Sequence, residues 1–131
     1  MSSTLAQRID IIEDGYEFML AYAARGLVDE RSGPAPGIRG LLEGMAAALD
    51  GLAATAAAET ADPACAPFLA VLGEDGAKAL AAIRLVLSCR SISSQLIDNL
   101  NASIHVRALL TDLFLLDEAL KIAARTTCAA D

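Results

Sequence analysis

Leu5, Ile9, Ile12, Tyr16, Met19 and Ala23 recur at alternating intervals of four and three residues. That spacing stacks them along one side of an α-helix and is out of register with the two-residue repeat of a strand. It returns in Ile38, Leu42, Met45, Leu49 and Leu52, and in shorter form in Leu80, Ile83 and Leu87. A chain patterned this way in segment after segment has helices to pack and little from which to build a sheet. Alanine and leucine supply much of the 55% hydrophobic content while aromatic residues make up only 4%, a balance that favours helix over strand. A chain of 131 residues is expected to form one domain across 1–131, because either half would bury too little core. The expected architecture is an all-α, antiparallel four-helix bundle.

The first helix is predicted from Ser3 or Thr4 to Arg25, with Gly26 as its stop. Its polar sector carries Asp10, Glu13, Asp14 and Glu17, and Gly15 sits where a missing side chain would admit a close neighbour. Leu27 to Gly37, with Gly33, Pro34 and Pro36, reads as a loop, and a second helix is predicted over Ile38 to Glu59. After a break at Thr60 to Ala66, Pro67 opens a short turn. Gly73-Glu74-Asp75-Gly76 reads as a loop whose Asp75 caps a third helix reaching Cys89. That helix is basic through Lys78 and Arg84, with Arg90 just beyond it, so the acidic first helix is its expected neighbour. A turn at Arg90 to Ser94 leads into a long fourth helix, Ser94 to Arg125. Leu96, Ile97, Leu100 and Ile104 lie on one side of it and Leu109, Leu113, Leu116 and Leu120 on nearly the opposite side. Either this helix faces different partners along its length or it kinks between Asn101 and Arg107.

Apolar surface beyond a single core seam implies a second subunit. Three places are candidates for the interface: the stripe Ile11, Phe18 and Tyr22; the small-residue face containing Gly40, Gly44 and Gly51; and the face Leu109, Leu113, Leu116 and Leu120, which leaves the largest area to hide. Homodimerisation is expected, with a further protein as partner.

A net charge of −7 is the wrong sign for a nucleic-acid footprint. Arg84, Asp98 and Asp112 interrupt every apolar run that might cross a bilayer, and the N-terminus has no secretory pattern, so the expected location is cytoplasmic. Cys65, Cys89 and Cys128 are far apart and odd in number, the pattern of reduced structural thiols. No Glu-x-x-His pair, C-x-x-C-H, glycine-rich phosphate loop, G-x-S-x-G or H-E-x-x-H occurs, and no metal or cofactor is expected.

His105 is the single histidine, and Asp98, Asn101 and Asp112 share its side of the fourth helix, with Arg107 close by. A histidine on the polar face of a helical bundle beside a basic residue resembles histidine phosphotransfer domains. The resemblance implies a phosphoacceptor role for His105. It departs from that pattern in placing Ala108 and Leu109 where such domains usually carry the basic and the small residue, with Arg107 one position early. The polar run Ser91, Ser93, Ser94, Gln95, Asn99, Asn101 and Ser103 suggests either a buried hydrogen-bond network or the wall of a ligand pocket between helices three and four, bordered by Asn99, Ser103 and Arg84. The leading expectation is a non-enzymatic, homodimeric accessory or regulatory protein. The alternatives are a phosphotransfer module using His105 and a small enzyme or apolar-ligand binder.

Overall fold

Thr4 starts the first helix by a reciprocal cap, its Oγ1 accepting from Gln7 N–H at 3.2 Å while Gln7 Oε1 accepts from Thr4 N–H at 2.9 Å. Glu59, far along the chain, accepts from the next free amide, Leu5 N–H, at 2.7 Å. The computed structural model describes residues 3–32 and 37–130, with the side chains of 32 and 126–130 outside the description. The helices are α1 (Leu5–Ala24), α2 (Ile38–Leu49), α3 (Leu52–Ala58), α4 (Ala66–Leu87), α5 (Ser94–Ala102) and α6 (His105–Ala130), with single 3-10 turns at Glu30–Ser32 and Pro63–Cys65. No strand occurs among the described residues, so the fold is all-α. The expected loop residues Gly33, Pro34 and Pro36 lie outside the described residues.

The α1 seam meets the core as its spacing requires: Leu5, Ile9, Ile12 and Met19 are buried. Gly15 is buried too, and a Cβ there would run into Sδ and Cγ of Met45, so the glycine lets α2 lie close against α1. The second expected helix is instead two. Gly51 takes a left-handed φ of +73°, and α3 leaves α2 at 44°. Arg8 of α1 covers the carbonyls exposed by this break, Nη1 donating to Ala48 O at 3.1 Å and to Asp50 O at 2.6 Å. Gly51 is therefore a bend residue, while Gly40 and Gly44 are exposed with open space around them.

The expected loop at Gly73 to Gly76 lies inside α4, and Asp75 caps nothing. Two glycines in one helix interior cost roughly 2 kcal/mol against alanine. A Cβ on Gly73 would meet Ala53 Cβ at 3.5 Å, and one on Gly76 would meet Leu109 Cδ1 at 3.8 Å, both ordinary contacts, so packing does not demand glycine at either position. α4 packs on α2, α3, α5 and α6 rather than chiefly on α1. The expected pairing of acidic α1 with basic α4 is absent, and no ion pair joins them among the described residues.

The fourth expected helix breaks at Ser103–Ile104 into α5 and α6. The break turns two opposite apolar faces toward the same interior. Ile97 and Leu100 before it are buried, and so are Leu109, Leu113 and Leu116 after it, with Leu120 packed against them half-buried. The face favoured as a subunit interface is thus this chain's own core, and Leu109, Leu113 and Leu116 keep no surface for a partner. The Ile11, Phe18 and Tyr22 stripe divides: Ile11 is exposed, Phe18 half-buried and Tyr22 buried.

A polar clasp closes one end of the assembly. Arg39, in the first turn of α2, donates to both Glu30 carboxylate oxygens at 2.8 Å, to Leu87 O at 2.8 Å and to Cys89 O at 2.9 Å. Glu30 also accepts from Ile92 N–H at 3.2 Å, and the Arg39 guanidinium holds its carboxyl below the usual range. The Tyr22 hydroxyl donates to Ile92 O at 2.5 Å; burial, then the charges of Glu30 and Asp29, raise the phenol's pKa. Ser94 Oγ donates to Tyr22 O at 2.6 Å and accepts from Leu27 N–H at 2.8 Å, while Ser94 N–H donates to Leu27 O at 2.8 Å. The serine run is therefore partly a joint: Ser94 is the buried member, and Asn99 is exposed.

Three substitutions test this packing. Ser94→Ala leaves Leu27 N–H without its partner and takes one of two donors from Tyr22 O, which keeps Arg25 N–H; the change is expected to cost about 1–3 kcal/mol in urea unfolding, and an unchanged midpoint would remove Ser94 from the clasp. Gly15→Val should destabilise by about 1–3 kcal/mol through overpacking against Met45. Gly44→Ala, on an open helix surface, should stabilise by about 0.5–1 kcal/mol.

Candidate functional site: the α1–α6 surface

The break before α6 leaves Ile104 in the left-handed region, at φ +61°. A β-branched residue is rarely found there, at a cost of about 1–2 kcal/mol. Its own side chain is 57% exposed. Ile104, Arg107, Ala108, Thr111 and Asp112 line a cleft of about 260 Å³. On the other flank of α6, Arg107, Leu110, Thr111 and Phe114 face Glu13, Tyr16, Glu17 and Leu20 of α1 across a second cleft of about 320 Å³. Arg107 and Thr111 line both, which makes the two clefts one continuous surface over the first turns of α6.

Asp112 forms the inner wall of the first cleft. Its Oδ2 is buried without a donor while both carboxyls are ionised, and Asp75 of α4 lies against it. Burial, reinforced by the Asp75 charge and hydrogen bond, pushes the Asp112 carboxyl up to about 7. A proton shared between the two acids supplies the missing donor. Asn101 Oδ1 is a second buried acceptor without a partner, just before the helix break.

Of the residues singled out around His105, Arg107 and Asp112 line one cleft and Asp98 lines another. His105 is the first residue of α6 and half-buried, and Arg107 is exposed along both clefts. Asn101 is half-buried at the end of α5. Asp98 faces a different cleft, of about 520 Å³, shared with Ala23, Leu27 and Val28 at the end of α1. The expected pocket between helices three and four has no counterpart at its named border. Arg84 and Asn99 are exposed, Asn99 Oδ1 accepts from Gln95 Nε2 at 3.2 Å, and Ser103 Oγ donates to Leu100 O in its own helix at 2.6 Å. Cys65 and Cys89 are free thiols, and the Cys128 side chain lies outside the described residues. Among the described residues no three His, Cys, Asp or Glu side chains are placed to hold a metal ion. No single helix there is long and apolar enough to cross a membrane; α2 and α3 reach that length only together, across their bend.

The turn chemistry of Gly73-Glu74-Asp75-Gly76 conceals the Asp75–Asp112 pair in the sequence. Its signal was present in the spacing, since Leu72, Gly76, Ala79 and Ile83 form an unbroken helical stripe through that segment. The outward apolar residues Leu20, Phe114 and Leu115 were hidden by the leucine run that fills the core. No family profile, curated protein or solved structure matches this chain.

Asp112 binds a proton in the folded state that an ordinary carboxylate has released, from about pH 4 up to its folded pKa of about 7. Stability should therefore fall as pH rises through that window and level off above it. Asp112→Asn removes the ionisation, so its melting temperature should exceed the parent's at pH 8 and the difference should shrink towards pH 5. Parallel melting curves for the two proteins across that range would show that Asp112 titrates normally.

Proposed function

We propose that this chain is a non-enzymatic interaction protein: an antiparallel four-helix bundle, in which α2–α3 and α5–α6 each count as one bent rod, working as a homodimer and as an accessory or regulatory partner of another protein. The observation that carries the reading is the outer face of α6. Ala108, Thr111, Leu115 and Ile122 lie along one side at helical spacing with Ile104 just before the helix, and Ile104, Leu115 and Ile122 are 57%, 59% and 50% exposed. Large apolar side chains aligned on one helix and left to water mark an association surface.

The spacing also suits a two-fold axis. If two α6 helices cross antiparallel at Leu115, each Ala108 meets Ile122 of the partner subunit and the leucines meet each other, the self-complementary pattern of an isologous interface. The exposed Gly40 and Gly44 offer a second place where backbones can approach closely, and Ile11 remains available on α1. A phosphoacceptor at His105 has weaker support, because the residue is half-buried and begins its helix immediately after a strained turn.

Sedimentation velocity at micromolar concentration tests the dimer. The native chain should sediment as a dimer, and Leu115→Asp combined with Ile122→Asp should sediment as a monomer with unchanged helical circular dichroism. A native monomer at that concentration would overturn the reading.

A further inference from the structure

The α1–α6 cleft has an apolar floor and one charged wall. Tyr16 and Leu110 lie at its base, and Leu20 and Phe114 stand at its edges with 46% and 45% of their surfaces exposed. Each helix contributes about two turns to it, Glu13 to Leu20 from α1 and Arg107 to Phe114 from α6. A furrow between two helices with apolar edges accepts the ridge of a third helix.

The charge of the wall fixes the sign of the occupant. Glu13 and Glu17 line the cleft, and Asp10 and Asp14 continue the acidic sector of α1 around them. α4, which carries Lys78 and Arg84, packs elsewhere, so these four carboxylates have no basic helix beside them. None of them makes an ion pair among the described residues. Arg107 is the one cation lining the cleft, and the whole chain carries −7. A second copy would bring the same acidic sector to the same place, and like charges facing each other oppose that pairing.

We infer that the α1–α6 cleft docks a basic amphipathic helix from another protein, whose apolar residues seat between Leu20 and Phe114 while its Lys or Arg side chains pair with Glu13 and Glu17. This names the partner class for the interaction role proposed above, and uses a surface beside the outer stripe of α6 that shares only Thr111 with it.

The test uses the full chain and a fluorescently labelled 18-residue leucine–lysine peptide with leucines at helical spacing, read by fluorescence anisotropy. Saturable binding with a Kd on the order of micromolar is expected. Glu13→Gln with Glu17→Gln, and separately Leu20→Ala, should each weaken it about tenfold. Added salt should weaken it further. A control with Asp50→Asn and Glu74→Gln, both exposed away from the cleft, should bind within about twofold of the parent. A peptide of the same composition scrambled to lose its apolar face should not bind.

Absence of saturable binding, or equal weakening by the control pair, overturns the inference, the latter by showing general attraction to an acidic protein. Dissociation of the dimer by Leu20→Ala in sedimentation also overturns it, because the cleft would then hold a second copy. If the peptide fails to bind while the native dimer persists, only the cleft assignment falls. If the native chain is monomeric yet binds the peptide at Glu13, Glu17 and Leu20, only the dimer falls.

Discussion

The fold depends on a single, partly buried joint between segments distant in sequence. Arg39 ties Glu30 to the last carbonyls of α4, and Tyr22 and Ser94 tie the end of α1 to the start of α5. Helix ends leave carbonyls and amides without intrahelical partners, and in a small all-α fold those ends lie close to the core. Gathering the C-termini of α1 and α4 and the N-termini of α2 and α5 around one charged pair satisfies several of them at once. Breaking a member would leave buried groups unpaired, which costs more than the bond itself contributes. The joint thereby sets which helix ends meet, and with that which helices are neighbours.

Two bends then decide what the surface looks like. Gly51 turns α3 away from α2 and brings Ala53 against Gly73 of α4. The turn at Ile104 rotates the leucines of α6 inward and sends Leu115 and Ile122 outward. A straight helix would have left either Ile97 and Leu100 or Leu109 and Leu113 in water. The strain at Ile104 is small beside the burial of that leucine face, each large side chain being worth about 1.5–3 kcal/mol. The same turn places Asp112 against Asp75, so the most perturbed acid in the chain is a by-product of how α6 must pack.

The positions of glycine separate into three physical roles that look alike in one dimension. Gly15 is the residue where a neighbour comes too close for a side chain, Gly51 supplies a backbone angle, and Gly73, Gly76, Gly40 and Gly44 have ordinary contacts or open space around them. All of them lie in apolar helical segments, and periodicity cannot tell one role from another. Gly15 was legible because it fell between two apolar stripes of α1. Gly73 and Gly76 were not, because Gly-Glu-Asp-Gly has turn chemistry that only the packing of α4 on α3 and α6 overrides.

The chain's own pattern determined the all-α class, the inward seam of α1 and the core residues of α2, and it left a bend between Asn101 and Arg107 as one of two alternatives. These follow from local periodicity, which acts over one or two helical turns and is written directly in the order of residues. Only the tertiary structure decided that α4 stands away from acidic α1, that the leucines of α6 are core, and that Asp112 meets an acid rather than a base. Those outcomes depend on which helix lies beside which, and that is set by long-range hydrogen bonds and by how closely backbones approach. Neither quantity has a period that a sequence displays.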